Sequence, residues 1–173
     1  MLRVAAGPGL VGLALAGEDG ACAVLLSLGV LSDIFDGVLA RRWNVSTPAL
    51  RTWDSRADVA FWACAFGALI VSRPDWLAVL CPAIALFVAL EAANHGFSFY
   101  RFGREASPHH YLSKAFGLAL WLFVGTAFVT GRLQPLFGVA ATIGVLSQVE
   151  AFLITARLRA WRCDVPSVFT LRP

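Results

Sequence analysis

Residues 21–41 read ACAVLLSLGVLSDIFDGVLAR, an apolar run long enough to cross a bilayer with Asp33 and Asp36 set into its second half. Asp54 and Asp58 follow in the run DSRAD at residues 54–58. Carboxylates are among the costliest side chains to place near hydrocarbon. Four of them within 26 residues repel one another and cannot all stay ionised unless a cation sits between them. All-oxygen ligation of that kind suits Mg²⁺, Mn²⁺ or Ca²⁺ in preference to zinc or copper. The stretch therefore predicts a membrane helix together with a hard divalent cation site at its edge.

Composition carries the membrane half of that reading. Of 173 residues, 58% are hydrophobic and 14% charged, against about 25% charged in an ordinary soluble domain. Mean hydropathy is +0.71, and the apolar residues fall in blocks instead of one-sided stripes. The length suits a single domain over residues 1–173 with no separate soluble module. A net charge of +3 with dispersed basic residues gives no nucleic-acid footprint. Cys22, Cys64, Cys81 and Cys163 lack metal-ligand spacing, and three of them lie in apolar blocks. They read as core residues, with no disulfide framework. No cleavable signal peptide is expected, because the first apolar block begins almost at Met1 and lacks a good cleavage site.

Six apolar blocks follow one another: Val4–Gly17, Ala21–Ala40, Ala57–Ser72, Trp76–Phe99, Tyr111–Thr130 and Pro135–Thr155. A spanning helix needs about 20 residues; the first and third blocks are short and would lean on flanking residues or a thinner bilayer. The expected fold is an all-α integral membrane protein with six transmembrane helices. With the N-terminus inside, twelve of the fourteen basic residues fall on that side, and only Arg73 and Arg132 lie outside. The positive-inside rule then puts both termini and the aspartate cluster in the cytoplasm. Trp43, Trp53, Trp76 and Trp161 flank the blocks as interfacial anchors do, while Trp62 and Trp121 read as packing residues.

Asp33, Asp36, Gly37 and Ala40 are spaced i, i+3, i+4 and i+7, so they share one helix face. Asp54 and Asp58, at i and i+4, share a face at the start of the next helix. The stretch Arg42–Trp53, with Asn44, Ser46, Thr47 and Pro48, can form the turn between them. Two antiparallel helices joined this way bring two carboxylate pairs together. Gly37 and Ala40 leave a strip free of large side chains where a flat ligand could lie, and Arg41 could meet a phosphate.

These residues resemble the signature of the CDP-alcohol phosphatidyltransferases, D-x2-D-G-x2-A-R-x8-G-x3-D-x3-D. Asp33, Asp36, Gly37, Ala40, Arg41, Asp54 and Asp58 match seven of its eight fixed positions at full spacing; Leu50 stands where the second glycine belongs. The resemblance implies a phospholipid-biosynthetic transferase that moves a phosphatidyl or similar group from a CDP-linked lipid to an alcohol, with release of CMP. It implies Mg²⁺ or Mn²⁺, one or two ions, held by Asp33, Asp36, Asp54 and Asp58, with Asp58 also the general base. Asp33, Gly37, Ala40 and Arg41 would bind the nucleotide of CDP-diacylglycerol or a related CDP-lipid. A homodimer in a bacterial inner membrane, with its active site facing the cytoplasm, is likewise implied. Leu50 lacks the freedom of glycine, which marks a divergent subgroup and bears on the nucleotide pocket and acceptor choice, not on the metal chemistry.

Glu91, Asn94 and His95 share one side of the fourth block and either reach the acceptor alcohol or hydrogen-bond a neighbouring helix. Arg101, Arg104, His109, His110 and Lys114 form a basic cluster. Its members would hold a phosphorylated acceptor or face lipid head groups; Lys114 is the best placed, at the start of the fifth helix. Glu150, inside the sixth block, needs a partner. A cation transporter or channel is the rival reading of the aspartates, but its acids should recur at mid-membrane depth beside broken helices. Here they gather at one end, beside Gly37 and arginines.

Overall fold

The computed structural model describes residues 2–43, 48–106, 110–163 and 165–171, and within its helices the side chains of residues 2, 40, 41 and 48–52 fall outside the description. Six helices run in order: α1 (Leu2–Leu15), α2 (Asp19–Arg42), α3 (Pro48–Ser72), α4 (Leu77–Phe102), α5 (Tyr111–Thr130) and α6 (Leu136–Arg157). One-turn 3₁₀ helices cover Pro74–Trp76 and Val168–Thr170, and no strand occurs among the described residues. The expected all-α class stands.

Segments containing most or all of α2 to α6 are long and apolar enough to cross a membrane: Asp19–Leu39, Trp53–Ser72, Pro74–Phe102, Tyr111–Thr130 and Leu136–Arg157. The sixth helix, α1, is apolar but has only 14 residues. Large apolar side chains such as Val24, Leu28, Leu86, Val88, Leu146 and Phe152 lie exposed along these helices. Such faces are costly in water and ordinary in lipid, and the chain is an all-helical integral membrane protein.

The helices group into two compact units: residues 1–77 with 121–133, and residues 78–120 with 134–173. In the first, α1 packs on both α2 and α3. The α1–α2 reversal is a helix-ending turn in which Gly17 N–H bonds to the Ala14 carbonyl and Glu18 N–H to that of Leu13. Gly17 has φ +75°, the left-handed conformation that this closing motif requires and that glycine takes without penalty. The helices α2 and α3 approach closely at Gly29, where a Cβ would come within 2.6 Å of the Phe61 ring. Leu10, Leu26, Phe61, Ala65, Ala68 and Leu69 fill the core there, joined by Phe123, Val124, Ala127 and Phe128 of α5. An ion pair between Arg73 and Asp19, 2.7 Å apart, ties the end of α3 to the start of α2.

In the second unit, Phe116 packs against Phe87, with centroids 4.9 Å apart, and against the bare backbone of Gly144. Beyond α6 the chain folds back, and Ile154, Leu158, Val165 and Val168 form a small core.

One local expectation is corrected. The turn expected over Arg42–Trp53 is already helical from Pro48, so α3 has 25 residues and is not short. Proline suits a first helical position, where its missing N–H costs nothing, and the polar first turns of α3 add helix without adding hydropathy. Leu50 consequently lies in an α-helix, a conformation that leucine favours. Trp76 is buried, in the 3₁₀ turn that directly follows α3. Trp121 packs as expected, its indole N–H donating to Ser27 at 3.0 Å.

Candidate active site

The aspartate cluster lies in the first unit, where α1, α2 and α3 meet at one end. Asp33 lies just past the middle of α2, and Asp54 and Asp58 lie one turn apart in α3. All three carboxylates point at one group, the guanidinium of Arg3 in the first turn of α1. Arg3 Nη2 is 2.7 Å from Asp33 Oδ1 and also bonds Asp54 Oδ1, while Nη1 meets Asp58 Oδ1. The arginine side chain is sealed at 3% exposure, whereas Asp33, Asp54 and Asp58 keep 36%, 44% and 41%. Each acid thus spends one oxygen on a buried cation and presents the rest of itself outward.

Asp33, Asp54 and Asp58 are thus brought together at one guanidinium. Asp36, one turn beyond Asp33 on α2, is exposed and makes a further interaction of its own. Gly37 is half-buried on the same helix. Ala40 and Arg41 are helical, but their side chains lie outside the described residues, as does the stretch 44–47.

Arg3 was missing from the expected site. Counted only as a topology marker, it stands just ahead of the first apolar block and is the one charged residue of α1. Its partners lie 30 to 55 residues away, so no local spacing advertises them.

Does this set fit a divalent cation? Among the described residues, no three acidic, histidine or cysteine side chains stand as ready-made ligands, and the Arg3 guanidinium lies against three of the acids. It is itself a stand-in cation: three hard carboxylate donors from two helices already converge on a positive charge. The donor chemistry suits Mg²⁺ or Mn²⁺, so the residues fit the group.

The expected acceptor residues lie in the second unit, each with a visible engagement. Arg101 donates to the Thr155 carbonyl at 3.1 Å and to that of Ala156, capping the end of α6. Arg104 stacks over the Trp161 ring at 5.1 Å, and that indole donates to the Glu105 carbonyl. Lys114, exposed in the first turn of α5, lies 5.7 Å from the Tyr111 ring centroid. His95 faces Glu91 at 3.8 Å, both half-exposed. Neighbouring Asn94 is buried and accepts from Thr155 Oγ1 at 3.1 Å, which makes it a helix-packing residue. His110 does not join the basic cluster: it is buried, with Nδ1 3.1 Å from Glu150. Glu150 also accepts from Ser167 Oγ at 2.7 Å and Val168 N–H at 3.2 Å, so its partner is the chain's own tail. His109 lies outside the described residues.

The CDP-alcohol phosphatidyltransferase family model matches residues 1–156, a span that takes in all six helices to within one residue of the end of α6. The protein belongs to that family. It is accordingly a membrane transferase of phospholipid biosynthesis that acts on CDP-alcohols, in a family that depends in general on a divalent metal. No curated protein and no solved structure matches the chain significantly.

Proposed function

We propose that the protein transfers a phosphatidyl or similar phospholipid group from CDP-diacylglycerol, or a related CDP-lipid, to the hydroxyl of a polar or phosphorylated alcohol. The convergence of Asp33, Asp54 and Asp58 on one positive charge supports this reading most directly. Asp33, Asp36, Asp54 and Asp58 would hold Mg²⁺ or Mn²⁺, which supplies charge neutralisation at the diphosphate and its leaving phosphate.

Asp58 takes the proton from the acceptor hydroxyl as that oxygen bonds to the lipid-side phosphorus. The bond from that phosphorus to the bridging oxygen breaks, and CMP departs with the electron pair. A base so placed contributes about 10²- to 10⁴-fold. Gly37 and Ala40, both small, leave room for the cytidine on α2, and Arg41 pairs with nucleotide phosphate. Of the basic groups suited to a phosphorylated acceptor, Lys114 carries an exposed ammonium in a first helical turn, whereas the Arg101 guanidinium is engaged by α6 carbonyls. His95 and Arg104 complete that set. The chain works as one catalytic domain over 1–173, as a homodimer in a bacterial inner membrane with the site facing the cytoplasm.

The test is CMP release from CDP-diacylglycerol by purified protein in lipid nanodiscs, run against a panel of glycerol 3-phosphate, inositol phosphate and serine. Release that needs both an acceptor and Mg²⁺ or Mn²⁺ is the expected result. Absence of CMP with every acceptor, together with cation flux in liposomes that depends on the aspartates, would replace the reading with a transporter.

A further inference from the structure

We infer that Arg3 is a built-in counter-ion of the aspartate site that gives up its carboxylates when a divalent cation arrives, so that loading is an exchange of cations. The inference rests on the metal reading above and adds a residue to it. Arg3 is sealed inside the cluster, and both of its terminal nitrogens are engaged there, Nη2 with Asp33 and Asp54 and Nη1 with Asp58. By contrast, Arg42 and Arg56, the other basic residues near the carboxylates whose side chains are described, are exposed.

Geometry and charge both oppose shared occupancy. A Mg²⁺ ion demands oxygens at about 2.0–2.1 Å, and the oxygens that would close on it now hold a planar guanidinium between them. Two cations inside one ring of acids would also repel at contact distance. Three carboxylates against one arginine leave net negative charge on these four groups, which a divalent ion neutralises better than the single charge it replaces. Without metal, the arginine serves a second purpose. It lets three acids stand together on helices that must pack, at the cost of competing with the metal later.

The measurement is Mn²⁺ affinity by electron paramagnetic resonance, on the full chain in phosphatidylcholine nanodiscs. Arg3→Gln should bind Mn²⁺ about tenfold more tightly than the native protein, with Arg3→Lys in between and Asp33→Ala far weaker. Equal or weaker binding by Arg3→Gln would overturn the exchange, since an arginine that merely orders the acids would lower affinity when lost. If the native protein and Asp33→Ala fail alike to bind Mn²⁺, the metal reading itself falls and the inference with it. A readout on the native chain covers the case in which Arg3→Gln does not fold. Phenylglyoxal labelling of Arg3, followed by mass spectrometry, should rise on adding Mn²⁺, and unchanged or reduced labelling overturns the proposal.

Discussion

Each of the two units contains a cluster of charged groups, and the clusters are built on opposite principles. In the second unit one acid meets several donors: Glu150 receives Ser167 at 2.7 Å and Val168 N–H at 3.2 Å, beside His110 at 3.1 Å. Every partner is at ordinary hydrogen-bond range, and the effect is to fasten the tail to α6. In the first unit three acids compete for one base, and each keeps more than a third of its surface open. A satisfied carboxylate is an anchor; a surplus of carboxylates keeps acceptor oxygens unspent. The fastened tail also lies beyond residue 156, where the family match ends, while the surplus lies inside the matched span.

The largest break in this contrast should come from Asp58→Asn, which keeps shape and removes the proposed base. Turnover should fall about 10²- to 10⁴-fold with folding and CDP-lipid binding largely kept; normal turnover would move the base elsewhere. Glu150→Ala should do the reverse. It strands Ser167, the Val168 N–H and His110, for a loss of about 1–3 kcal/mol in denaturant unfolding, with turnover per folded molecule little changed. Turnover lost without any loss of stability would make Glu150 part of the site after all. The smallest effect sharpens the comparison: Gly29→Ala puts a methyl carbon 2.6 Å from the Phe61 ring, one helical turn from Asp33. A loss of about 1 kcal/mol, with weaker Mn²⁺ binding, is expected as α2 is pushed off α3. Unaltered Mn²⁺ affinity would show that the acids tolerate the shift.

Helix positions were legible from the chain because apolar blocks are long and are broken by glycine, proline and charge. The boundaries at Tyr111 and Thr130 came out as expected, since nothing apolar continues past them. The start of α3 was not, because Arg51, Thr52, Asp54 and Arg56 make its first turns polar, and hydropathy is blind to a helix that begins outside the hydrocarbon. Asp33, Asp54 and Asp58 were legible as a group because their periodicity is local. Arg3 and the Glu150–Ser167 bond were not, as each joins residues whose nearness is decided only by how helices pack.

The shortness of α1 has a consequence for the charge it carries. Fourteen residues at about 1.5 Å each reach about 21 Å, while a hydrocarbon layer is about 30 Å deep. The rod is thus about 9 Å shorter than that layer is deep, and the guanidinium near its head is met by the acids of α2 and α3 instead of standing alone.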